Sequence, residues 1–269
     1  MINIDAIIEK FITAYLYCEI DKKSVTGIIL SGSYARSLQN EHSDLDLHII
    51  VTNSYTYRKR GNIEIDGFLV EYNINPFKQI VKYFEIEKMH NNPLKCTAIL
   101  EGIIIFEKNK TATRLKTIAK DWIDKDYLPL KSTLVEFKKY QIADTLNKVL
   151  SLYYQKSKNF TYSYYSNLKL IYEFYAQYLC QPILKDYMLH DYFSDNVRYD
   201  GILDRFPDKE FAEIFKKAML ATTDEERMEL YDTLSKYVLK KLGGFELKGW
   251  VFELPIDYTN KMDTKTRVF

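Results

Sequence analysis

Apolar positions fall in short runs along the first half of the chain and at helical spacing along the second, so two kinds of architecture are predicted. At the start, Ile4, Ile7, Ile8, Phe11, Ile12 and Tyr15 share one side of an amphipathic helix. Val25–Leu30 and Leu45–Val51 read as buried strands. The segment RGNIEIDGFLVEYNINPF carries Asp66-Gly67 between alternating residues, which predicts an antiparallel hairpin of Tyr57–Ile65 with Phe68–Ile74. Pro76 opens a helix at a first-turn position, Gly102–Phe106 is one more short strand, and a helix follows from Thr111 to Asp124.

After Pro129 the period becomes helical, with segments near 131–156, 160–180, 208–221 and 224–242, and Gly243-Gly244 as a helix stop. The pattern predicts an α+β domain over 1–125, a small mixed sheet with flanking helices. An all-α bundle over 126–269 follows, ending in the polar, frayed tail KMDTKTRVF. Many of the 23 tyrosines lie between Tyr153 and Tyr199. Aromatics at helical spacing read as core with hydroxyls at its rim, in preference to a flat-walled pocket for a ring-bearing substrate.

Composition narrows the function classes. The 38 Lys and Arg balance 37 Asp and Glu, a net charge of +1, which argues against a protein that follows long nucleic-acid tracts. No run approaches the ~18 consecutive apolar residues of a membrane span. The acidic N-terminus does not read as a signal peptide. Cys18, Cys96 and Cys180 are far apart and form no CxxC, so they read as reduced, buried thiols of a cytoplasmic protein.

The chemistry concentrates in GIILSGSYARSLQNEHSDLDLHIIV, residues 27–51. Asp44 and Asp46 lie at i and i+2 of a strand, so their carboxylates share a face, and two like charges held that close call for a cation. Carboxylate oxygens are hard ligands suited to Mg²⁺. Ser31-Gly32-Ser33 ends a strand, and Tyr34-Ala35-Arg36-Ser37-Leu38 can begin a helix, so backbone N–H groups and the helix dipole would converge on a phosphate site. Gly32 lets the backbone approach closely and Ser33 adds a hydroxyl donor. Glu71 fits as a third acid, sharing a hairpin face with Leu69 and Asn73; Glu64 is the rival. The bland alternative makes SDLD a capped turn and Glu71 an exposed strand residue, but the long apolar run after Asp46 and the upstream Gly-Ser step weigh against it. Asp144 and Glu101 are candidate catalytic bases, each also readable as a solvated or capping acid. Of the histidines, His42 is the one in the candidate loop.

Gly32-Ser33, ten intervening residues and Asp44-Leu45-Asp46-Leu47 resemble the signature of the DNA polymerase β-type nucleotidyltransferase superfamily. The two-domain outline is similar to the bacterial lincosamide and aminoglycoside nucleotidyltransferases, with looser echoes in YQIADTLNKVL and VLKKLGGFEL. The resemblance implies that Gly32 and Ser33 hold the β- and γ-phosphates of ATP or another nucleoside triphosphate. Asp44, Asp46 and Glu71 would bind Mg²⁺, and Arg36 would touch phosphate. Ser37 departs from the glycine that relatives often carry there. The implied reaction transfers AMP to a hydroxyl of a small molecule, possible antibiotics included, and releases pyrophosphate. Two alternatives stand beside it: AMPylation of a partner protein, as in antitoxin-like relatives, and a catalytically silent nucleotide-binding module.

Overall fold

Five strands form one mixed sheet: β1 (Val25–Ser31), β2 (Leu45–Val51), β3 (Lys59–Ile65), β4 (Phe68–Pro76) and β5 (Ile103–Glu107). Their spatial order is β3-β4-β2-β1-β5. β2 runs parallel to β4, and every other neighbouring pair is antiparallel. This computed structural model describes residues 4–194 and 205–253, so Tyr199 and the tail KMDTKTRVF lie outside the described residues. The chain divides into two compact units, 1–129 with 173–216 and 130–172 with 217–269.

In the first unit, α1 (Ile4–Lys10) runs through a π-helical turn, Phe11–Leu16, into α2 (Tyr17–Glu19). That wider turn changes the predicted face. Phe11 and Leu16, five residues apart, are both buried, whereas Tyr15 is exposed. These residues, with Ile7 and Ile8, pack on the sheet face formed by Ile28, Leu30, Leu45, Leu47, Ile49, Val70 and Ile74. Successive strand residues alternate between faces, so Ile29 and Ile50 point the other way. They are covered by α4 (Phe77–Met89), α5 (Leu94–Glu101) and α6 (Thr111–Ile123), through Ile80, Phe84, Ile99, Leu115 and Ala119. On this second face the apolar pair ends at Ile50 and Ile29. The next same-face positions of β2, His48 and Asp46, line an open cleft instead.

The hairpin has the predicted register. Ile65 pairs with Phe68, and Asp66 and Gly67 turn the chain with φ of 52° and 81°. Pro76 ends β4 and precedes the first residue of α4, one position earlier than predicted. After β1, α3 (Gly32–Ala35) is a single turn, so the longer helix expected to start there is absent and the phosphate site cannot draw on a full helix dipole. Ser37 stops it at a φ of 56°, the left-handed region that favours glycine, where the resembling family often carries one.

The C-terminal region is helical: α7 (Ser132–Tyr154), α8 (Phe160–Tyr178), α9 (Leu189–Phe193), α10 (Lys209–Leu220) and α11 (Asp224–Lys241). In the second unit α7 and α11 pack together, burying Ile142, Leu146 and Val149 of the former and Met228, Tyr231, Leu234 and Val238 of the latter. A capping box at Thr223 and Glu226 starts α11, and Gly243, at φ 90°, follows its end. Some of the tyrosines follow the core reading, whereas Tyr154, Tyr162 and Tyr187 are exposed. Tyr164, Tyr172 and Tyr175 are buried, and the Tyr164 hydroxyl donates to the Ala218 carbonyl at 2.7 Å. In the first unit the Tyr175 hydroxyl donates to Asp208 Oδ2 at 2.6 Å.

A Cβ added at Gly67 would meet no atom within 4 Å, so the positive φ alone opposes a side chain there. Gly67→Ala is expected to cost about 1 kcal/mol in a denaturant titration with an unchanged slope. Full retention of stability would show that the turn does not hold the hairpin.

Candidate active site

Register places the acids. Asp46 of β2 lies opposite Glu71 of β4 in the parallel ladder, and opposite Ser31 at the end of β1. Asp44 precedes β2 by one residue, so one ligand oxygen from each of Asp44, Asp46 and Glu71 falls within a mutual 4.8 Å. This is the one such His, Cys, Asp and Glu group of metal-ligating geometry among the described residues. Glu64 pairs with Leu69, one same-face position further from the cluster, and stands outside the group.

The cluster opens on a cleft of about 370 Å³. Its walls include Gly32, Arg36, His48, Arg60, Lys95 and Glu101. Burial pushes the Asp46 carboxyl up to about 6, and the neighbouring charges of Asp44 and Glu71 push the same way. Arg60 and Lys95 pull it partly back. Arg60 Nη2 meets Glu71 Oε1 at 2.7 Å, and Asn73 Nδ2 donates to the same oxygen at 3.4 Å. His48 is buried and held neutral, its pKa lowered to about 3 by desolvation, with Lys95 adding to the effect. It lines the cleft, whereas His42 is exposed in the loop beside Glu41.

Gly32 explains itself by contact. Its φ is 72°, and a Cβ there would overlap Asp46 Oδ2. The loop therefore approaches the carboxylates as closely as a backbone can. Ser33 holds the loop through its carbonyl, which accepts from the N–H groups of Arg36 and Leu38. Arg36 Nε donates to the Gly32 carbonyl at 3.3 Å and lies 3.6 Å from Glu101 Oε2. Of the other suggested base, Asp144 accepts from Lys148 at 2.6 Å within the second unit.

Three crowded carboxylates, one with its pKa raised by burial and by the other two, form a donor set that fits a hard divalent cation. Sequence reasoning missed Arg60, Lys95, His48 and Asn73. The hairpin register already places Arg60 opposite Asn73, on the face of Glu71. Lys95 has no such signal, because its place depends on how α5 packs.

The raised Asp46 pKa fixes the sign of a pH effect. Between about 4 and about 6 the folded state binds more protons than the unfolded chain, so stability falls as pH rises through this window and the penalty is complete above it. In chelator-treated buffer Asp46→Asn is therefore expected to melt above wild type at pH 7, with the difference closing toward pH 4. A gap that is independent of pH would refute the crowding of Asp46.

Residues 17–149 match the nucleotidyltransferase domain family. Among solved structures, a nucleotidyltransferase-like protein from Exiguobacterium sibiricum is similar at 13% sequence identity, over 89% of this chain and 75% of that one, with a TM-score of 0.40. No curated protein matches. The family match falls on the sheet and its three carboxylates, so residues 17–149 are a nucleotidyltransferase domain and the enzyme is a nucleotidyltransferase.

Proposed function

We propose that the enzyme transfers AMP from ATP to a hydroxyl of a small molecule and releases pyrophosphate. The observation that carries this reading is the Asp44, Asp46 and Glu71 cluster facing the Gly32 approach in one cleft. These three side chains would hold Mg²⁺, which when bound neutralises phosphate charge and activates an attacking oxygen. Gly32 gives the β- and γ-phosphates room beside the carboxylates, and Ser33 offers a hydroxyl to them. Arg36, held between the Gly32 carbonyl and Glu101, presents its guanidinium on the same side. Glu101 is thereby read as a positioning group for the phosphate loop, in preference to a base for the acceptor.

Neutral His48 lies behind Asp46 on the same face and supplies no competing charge. Arg60 holds Glu71 in place until the cation is bound. The intact triad speaks against a silent module. We place the reaction in the cytoplasm, where the free thiols Cys18, Cys96 and Cys180 stay reduced; only Cys96 is buried as expected, Cys18 being exposed and Cys180 half-buried. No described helix is long and apolar enough to cross a membrane.

Asp44→Asn, Asp46→Asn and Glu71→Gln are each expected to lower AMP transfer by at least about a hundredfold, beyond the loss typical of a group that only supports a ligand. Glu64→Gln should stay near wild type. Pyrophosphate release from labelled ATP measures both. A silent Glu71→Gln beside a crippled Glu64→Gln would overturn the ligand set.

A further inference from the structure

The cleft continues past the carboxylates. A second concavity of about 430 Å³ shares Arg60, Asn73 and Lys95 with it and adds Arg58, Tyr83 and Glu87 to its walls. Its charge is positive and only partly answered. Lys59, also in the wall, is paired with Glu19 and Arg60 with Glu71. Arg58 Nη1 donates to the neutral Tyr83 hydroxyl at 3.0 Å. Among the described residues no carboxylate lies within 4.0 Å of the charged nitrogens of Arg58 or Lys95. Glu87, the acid in this wall, accepts instead from the backbone N–H groups of Lys95 and Cys96 at 2.7–3.1 Å. Tyr83 links the two cations. Arg58 binds its hydroxyl, and the Lys95 ammonium stands 5.9 Å from its ring centroid.

Sheet order says which reactant this concavity faces. Gly32 follows β1, Asp44 and Asp46 belong to the β2 end, Glu71 is on β4, and Arg58 and Arg60 are at the β3 edge. In phosphoryl transfer the attacking and leaving oxygens lie on opposite sides of the phosphorus. With pyrophosphate leaving toward Gly32 and Arg36, the acceptor enters from the β4 and β3 side.

Resting on the function proposed above, we infer that the acceptor is a small hydroxy compound bearing an anionic group, a phosphate monoester or a carboxylate, held by Arg58 and Lys95. The acceptor hydroxyl oxygen forms the new bond to the α-phosphorus, and the bond from that phosphorus to the bridging oxygen breaks. Pyrophosphate leaves with the electron pair, and the hydroxyl proton passes to water in the open cleft. A polycationic acceptor is repelled from this concavity.

The test compares ribose 5-phosphate with ribose, gluconate with glucose, and both sets with glucosamine, using Mg²⁺ and α-labelled ATP. Binding of each compound is also measured by calorimetry beside a non-hydrolysable ATP analogue. An anionic member is expected to bind and to react at a KM at least about tenfold below its neutral partner, the scale of one charge-assisted contact. The phosphate and carboxylate arms show which anion is used. Arg58→Gln should raise that KM by about tenfold or more and leave the KM for ATP unchanged, Arg58→Lys should restore much of the loss, and Lys95→Met should raise the KM for the anionic acceptor more than that for its neutral partner. Equal or better use of the neutral or cationic compounds would overturn the inference, as would failure of every anionic compound to bind. A rise in the KM for ATP alone would also overturn it, assigning the concavity to the nucleotide. Failure of Mg²⁺ and ATP to bind at all would sink the transfer reading first, and is read separately from the acceptor arms.

Discussion

Mutual repulsion among Asp44, Asp46 and Glu71 is the constraint around which the rest of this enzyme is arranged. The pairing of Asp46 with Glu71 brings the like charges together, and the register of β2 with β4 keeps them there. The apolar residues of β2 and β4 are buried on the opposite face, so neither strand can slide by one residue without turning its acid into that apolar core. The energy of the sheet's core thus holds an unfavourable electrostatic arrangement that a cation can later relieve.

The positive groups grade across the cleft in a related way. Arg60 touches Glu71 directly, Lys95 acts on Asp46 from a distance, and Arg36 is held on the Gly32 side by Glu101. A cation that took over the Glu71 oxygens would compete with Arg60, an exposed side chain with little to lose by swinging away. Such binding would exchange a weak surface ion pair for a stronger set of ligands, without opening the core.

Most of the sheet and the three acids were legible in the sequence because they rest on local rules. Asp66-Gly67 sets the hairpin register, and that register carries Glu71 to the face of Asp46. What escaped depended on tertiary placement. The π-helical turn exchanged Tyr15 for Leu16 in the core, which no period of 3.6 residues anticipates. α3 stops after one turn because Ser37 turns left-handed, and nothing in YARSL announces it. α5 is a short helix after Pro93 with apolar residues on several sides, so its position over the cleft, and with it Lys95, followed only from packing.

The parallel pairing of β2 with β4 has a consequence for how the molecule is assembled. β3 and β4 can zip together early, because two residues separate them, whereas the hairpin must then fold back so that β4 docks beside β2 and leaves β3 at the sheet edge. Until that longer-range docking occurs, the nascent chain holds its two aspartates and its glutamate on separate pieces. The three carboxylates therefore meet only when β4 pairs with β2, and their mutual repulsion enters the molecule at that docking and not at the formation of the hairpin.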